Sequence, residues 1–135
     1  METTLTILLA EDDIDDQYLI QEAFKKVDAS IKFRVVPNGR EAIKYLSAVS
    51  DTELPCLIVL DYNMPEANGV EVLQNISGKE RFLHIPKVVF STSSSINNIS
   101  ECLSKGADAY IIKPPLFNDL IKVARQMLEM CGKAA

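Results

Sequence analysis

Leu57-Ile58-Val59-Leu60 is an unbroken apolar run rich in branched side chains, and it stops at Asp61, with Asn63 two positions further on and Pro65 four. A run this short and this uniform reads as a strand buried on both faces, the kind found in parallel sheets with helices on each side. Asp61 then sits at a strand's carboxyl end. In an open α/β sheet that edge is where loops diverge and ligands bind. An Asp that merely opens a turn would look the same in isolation, so the rest of the chain decides what the carboxylate is for.

The pattern recurs along the chain. Leu5 to Ala10 is a second apolar run and ends in Glu11-Asp12-Asp13; Ile85 to Ser91 ends in a hydroxyl; Ala109 to Ile112 ends in Lys113-Pro114. Ile31 to Val36 alternates Phe33 and Val35 with Lys32 and Arg34, as suits a strand near a sheet edge. Between these runs lie stretches of helical periodicity. The apolar positions are Ile20, Ala23, Phe24 and Val27 in the first and Ala42, Ile43, Leu46 and Val49 in the second. They are Val72, Leu73 and Ile76 in the third, and Ile96, Ile99, Cys102 and Leu103 in the fourth, with Gly106 as that helix's C-terminal cap. In the fifth, from about Leu116 to Cys131, one stripe of Phe117, Leu120, Ile121, Ala124, Leu128 and Cys131 faces the sheet. Val123, Met127 and Met130 make a second stripe, either packed beneath a neighbouring element or left exposed for a partner. Asp13, Asp15 and Asp16 fall where negative charge suits a helix N-terminus, and capping is the expected role of the last two.

Strand then helix, five times, with no dividing linker, implies one α/β domain over residues 1–135: a doubly wound parallel sheet with helices on both faces. Nineteen acids against fourteen bases give a net charge of -5, which argues against a nucleic-acid footprint. No apolar run approaches the roughly 20 residues of a membrane span, and Met1 to Thr4 does not open a signal peptide, so a cytoplasmic protein is expected. Cys56, Cys102 and Cys131, odd in number and set among apolar residues, are expected as reduced, packed thiols. The one histidine, His84, is expected in a solvated loop.

If all strands point the same way, Glu11, Asp12, Asp61, Ser91 and Lys113 emerge on one rim. Three clustered carboxylates repel one another unless a cation lies between them. All the donors are oxygens, which favours a hard ion such as Mg²⁺ over zinc. Lys113 and Ser91 could then bind the remaining oxygens of a phosphate. Such an assembly suits phosphoryl transfer with a carboxylate as nucleophile.

Glu11-Asp12, Asp61-Tyr62-Asn63-Met64-Pro65 with Gly69, then Ser91, Tyr110 and Lys113-Pro114 resemble the receiver domain of two-component response regulators, of the CheY-like kind, over nearly the whole chain. The resemblance implies a flavodoxin-like (βα)5 fold with strand order 2-1-3-4-5. It implies that Asp61 accepts a phosphoryl group from a sensor histidine kinase or histidine phosphotransfer protein. Asp12, Asp61 and the backbone carbonyl of Asn63 would ligate Mg²⁺, with Glu11 acting mainly through water and no organic cofactor involved. Lys113, through a cis bond to Pro114, would pair with the phosphoryl group, and Ser91 and Tyr110 would form the switch. Asn63 and Ser93 would flank the attacking water. Ser91 stands in place of the commoner Thr, Thr92 where Ala is frequent, and Pro115 in place of an aromatic.

With nothing after residue 135, a receiver would act by touching something else: an effector protein, or a second copy through the fourth helix, fifth strand and fifth helix. A phosphate sink or relay is the alternative. An aspartate-nucleophile phosphohydrolase of the haloacid dehalogenase type would carry Asp-x-Asp after its first strand, where this chain has Glu11-Asp12-Asp13. A flavin-binding module would need hydroxyl- and amide-rich phosphate loops instead of carboxylates. Beyond self-phosphorylation and slow self-dephosphorylation, no enzyme activity is expected.

Overall fold

The computed structural model describes residues 5–132. Five strands, β1 (Thr6–Ala10), β2 (Lys32–Val36), β3 (Leu57–Leu60), β4 (Lys87–Ser91) and β5 (Ala109–Ile112), alternate with five helices, α1 (Ile14–Val27), α2 (Gly39–Ala48), α3 (Gly69–Ile76), α4 (Ile96–Ser104) and α5 (Phe117–Gly132). Every strand pair is parallel and the order is β2-β1-β3-β4-β5, the expected flavodoxin-like, CheY-like arrangement. The alternation of side chains along each strand divides the core in two. Leu8, Ala10, Ile58, Leu60 and Val89 pack with the helices α2 and α3, while Ile7, Leu9, Leu57, Val59 and Val88 pack with α1 and α5. Among the described residues no helix is long and apolar enough to cross a membrane.

Local chemistry sets the element ends. Asn68 caps α3 through a reciprocal pair, its side chain accepting from the Glu71 N–H while the Glu71 carboxylate accepts from the Asn68 N–H. Asp13, Asn38 and Ser95 cap α1, α2 and α4 in the one-sided form. Gly106 follows α4 with a φ of 116°, a left-handed value that glycine adopts without steric cost, and so ends that helix as expected. His84 is exposed, also as expected.

Three expectations are corrected, and one left open is decided. Ile96 and Leu103 do not join the core: they are 79% and 47% exposed, and of α4 only Cys102 is fully buried. The helix turns one narrow stripe inward, so its apolar residues at other angles face solvent. Of the two alternatives for the second stripe of α5, the packed one holds: Met127 is wholly buried, and Val123 and Met130 pack against the α1/α5 core. The β4 strand opens on a buried cation, Lys87, whose ammonium donates to the carbonyls of Phe82 and Ile85 at 2.7 and 2.9 Å. It closes the preceding turn, and burial lowers its pKa. Finally, Cys56 and Cys131 are joined as a disulfide across 75 residues, with Cα atoms 5.5 Å apart, leaving Cys102 free. The start of β3 and the last turn of α5 meet on the same side of the sheet, a proximity made by the fold and invisible in the spacing.

A crosslink over a loop of this length restricts the unfolded chain strongly. Reduction is therefore expected to lower stability by about 2–5 kcal/mol. Urea titrations with and without a thiol reductant measure it, and coincident curves would show that the bridge contributes nothing.

Candidate functional site

The carboxyl ends of β1, β3, β4 and β5 bring the expected residues to one rim. Asp61 follows β3 with its N–H donated to the Ala10 carbonyl at 3.0 Å, so the acid is held by the neighbouring strand as well as its own. Glu11 is fixed in the same way, its N–H donating to the Val36 carbonyl at 3.0 Å. Both acids are buried, as is Ser91, whereas Asp12 is exposed. A close approach is built in behind Asp61. A Cβ on Gly69 would come within 2.8 Å of the Asp61 carbonyl oxygen, so α3 can begin here only without a side chain.

Lys113 ties the rim together. Its backbone N–H donates to the Ser91 carbonyl at 2.8 Å, which fixes its base beside β4. Its ammonium reaches Glu11 Oε1 at 2.6 Å, Asp16 Oδ2 at 3.0 Å and Asp61 Oδ2 at 3.5 Å. The peptide bond to Pro114 is trans, contrary to expectation. The ammonium meets the acids without it, because extension of β5 already points Lys113 at the rim. Asp16, expected only to cap α1, is a member of this cluster that sequence reasoning missed. Its signal is faint: it lies in the first turn of a helix that starts directly after an acidic strand end.

The charges are unbalanced, and burial sharpens the imbalance. Burial pushes the Glu11 carboxyl up from 4.5 to about 7; the Lys113 ammonium opposes this and the Asp61 charge reinforces it. Lys113 loses solvation too, yet its hydrogen bonds to Glu11 and Asp16 and the Asp61 charge outweigh that loss and raise its pKa. Carboxylate oxygens of Glu11, Asp12 and Asp61 lie within 4.8 Å of one another. Three oxygen donors at that spacing, two of them buried, fit a hard divalent cation.

The remaining expected residues lie around this centre. Asn63 is exposed in the turn after Asp61. The Ser91 hydroxyl accepts from the Ser93 N–H at 3.1 Å. Tyr110, half-buried on β5, packs against the α2/α3 core and donates its hydroxyl proton to the Ser93 carbonyl at 2.8 Å.

Comparison with known proteins agrees with this arrangement. The family model for the response regulator receiver domain matches residues 7–125. The probable methanogenesis regulatory protein FilR2 of Methanothrix harundinacea is 32% identical over 130 residues, spanning 95% of this chain and 84% of FilR2. The phosphorylated cyanobacterial phytochrome response regulator RcpA superposes with a TM-score of 0.87 at 31% identity, covering 98% of this chain and 97% of RcpA. The Mn²⁺-bound form of response regulator Rcp1 gives 0.78 at 30% identity, covering 90% of each chain.

The raised Glu11 pKa carries a sign for stability. A carboxyl whose folded pKa lies above its unfolded value favours the folded state while protonated, and this contribution is lost as pH rises between about 4.5 and about 7. With divalent cations chelated, the parent protein should lose stability across that window and Glu11→Gln should lose distinctly less. Denaturant titrations at stepped pH read the difference, and parallel profiles would contradict the burial effect.

Proposed function

Because the chain belongs to the response regulator receiver domain family, we propose that residues 1–135 form one receiver domain whose Asp61 takes a phosphoryl group from a sensor histidine kinase or a histidine phosphotransfer protein. The observation that carries the proposal is the meeting of Asp61 with Glu11, Asp12 and the Lys113 ammonium on one rim. The Asp61 carboxylate attacks phosphorus, an O–P bond forms, and the N–P bond to the donor histidine breaks with its electron pair returning to the imidazole. Asp12, Asp61, the Asn63 carbonyl and Glu11 would hold Mg²⁺, which when bound supplies positive charge to the phosphoryl oxygens. The Lys113 ammonium, already 3.5 Å from Asp61, pairs with a phosphoryl oxygen and so exchanges part of its contact with Glu11 and Asp16.

The new charge at the rim then draws Ser91 inward, and Tyr110 follows because its hydroxyl is bonded to the Ser93 carbonyl. Two exposed apolar sets support roles for partners. Ile14 and Tyr18 on the first turns of α1, and Leu116 just beyond Lys113, flank the acids and suit the phosphate donor. Ile96 and Leu103 on α4 and Ile112 on β5 suit an effector protein or a second copy of the chain. Switching of a partner is the favoured output; a sink or relay would use the same chemistry without that surface. Nucleic acid and membrane take no part, the setting is cytoplasmic, and turnover is limited to self-phosphorylation and slow self-dephosphorylation.

Incubation with acetyl phosphate and Mg²⁺ should add one phosphoryl mass, abolished by chelation and by Asp61→Asn. Lys113→Ala should slow its formation by roughly a hundredfold, as expected on losing a charge placed for the transferring group. An adduct that survives Asp61→Asn would overturn the assignment, and steady hydrolysis of phosphate esters would favour a phosphohydrolase. Mg²⁺ at about a hundred times its dissociation constant should stabilise the parent by about 2.7 kcal/mol, an effect that Asp12→Asn weakens in thermal melts.

A further inference from the structure

Tyr62, the residue next to the acceptor, reaches away from the rim. Its hydroxyl donates to Glu101 Oε1 of α4 at 3.2 Å, while its ring packs against the α2/α3 core that also holds Tyr110 and Cys102. The Tyr62 carbonyl accepts from the Gly69 N–H at 3.0 Å, which fixes its backbone to the start of α3. Glu101 is thereby tied to the loop that carries Asp61.

The other end of α4 is tied to Ser91. The Ser91 hydroxyl accepts from the Ser93 N–H, and the Ser93 hydroxyl accepts from the Asn98 side-chain amide at 2.9 Å, in the first turn of α4. Displacement of Ser91 passes through this chain into the helix. Because α4 fully buries only Cys102, it can respond as a body. A movement begun at Asn98 must pull Glu101, one turn along, against Tyr62.

We propose that the Tyr62–Glu101 hydrogen bond is a tether that sets the resting seat of α4, and that Tyr62 is a positioning residue opposing the phosphoryl-driven movement relayed through Ser91, Ser93 and Asn98. This rests on the reading of Asp61 as phosphoacceptor. A contact made only in the resting state lowers affinity for anything that selects the other state, and its removal raises that affinity by the same factor. Tyr62→Phe and Glu101→Ala therefore favour the phosphorylated conformation. Glu101→Gln keeps an acceptor oxygen and retains the tether.

The probe is beryllium fluoride with Mg²⁺, a mimic of the phosphoryl group, titrated against the full chain. Tyr62→Phe and Glu101→Ala should each tighten binding by about two- to tenfold, the range one net hydrogen bond supplies. The double variant should match either single one, and Glu101→Gln should match the parent. In the free protein, amide hydrogen exchange in α4 should quicken by a similar factor in the two tether-breaking variants. Unchanged or weakened binding with unchanged exchange would overturn the tether, as would additive effects in the double variant. A purely structural loss would speed exchange throughout the chain without tightening binding, and would also overturn it. If the parent binds no beryllium fluoride, the phosphoacceptor reading fails, and the α4 exchange of the free variants still decides whether the tether exists.

Discussion

A single ammonium, Lys113, stands among the carboxylates of Glu11, Asp16 and Asp61, with Asp12 beside them. Fully ionised, four acids and one base leave three uncompensated negative charges in a partly buried place. The fold holds Glu11 and Asp61 there because their backbones are anchored by neighbouring strands: β1 and β3 run parallel and adjacent, so their ends cannot separate without breaking the sheet. Burial, reinforced by the Asp61 charge, raises the Glu11 pKa, and protonation of that carboxyl or a cation between the acids relieves the imbalance. The rim thus carries an excess of negative charge, and under the proposed Mg²⁺ binding the strands that hold the charges in place would supply the affinity.

Burial falls from the middle of the sheet to one edge. Every residue of β3 is buried, and so is all of β4, whereas β5 is half-buried at best and ends with Ile112 facing solvent. The acids occupy the more buried side and the groups of the proposed switch, Tyr110, the serine-rich loop and α4, occupy the less buried side. Lys113 bridges the two, its side chain on the acids and its backbone on Ser91. In the proposed switch this one residue would link the rim to the edge.

What the sequence revealed follows from what was local. Strand ends are local, so Glu11, Asp12, Asp61, Ser91 and Lys113 could be placed on one rim from apolar runs alone, and the parallel order followed from strand-helix alternation. Contacts between helices and loops are not local. Asp16 looks like any acid in a first helical turn until Lys113 arrives from 97 residues away. Cys56 and Cys131 meet only because α5 ends over the start of β3. Periodicity also overstates burial in α4: Ile96 and Leu103 have core spacing, but the sheet beneath them offers room for one stripe. In α5 both stripes are covered because α1 lies alongside, a choice that periodicity alone leaves open. Burial of Lys87 at the start of β4 is equally hidden, because its partners are carbonyls, which no residue type advertises.

The shallow seat of α4 has an energetic meaning. A modification can shift an equilibrium only by as much as it interacts differently with the two states, and a phosphoryl group facing one ammonium and a hydroxyl supplies a few kcal/mol at most. Burying Ile96 and Leu103 would add roughly 1.5–3 kcal/mol each to the resting state, enough to hold α4 against the signal. Leaving them in solvent removes that obstacle and leaves apolar surface on α4. What then holds α4 is buried Cys102 together with polar contacts, Ser93–Asn98 in its first turn and Tyr62–Glu101 one turn along. Bonds of that size are commensurate with the charge change that the proposed phosphorylation of Asp61 would bring, so a helix held by them would be within its reach.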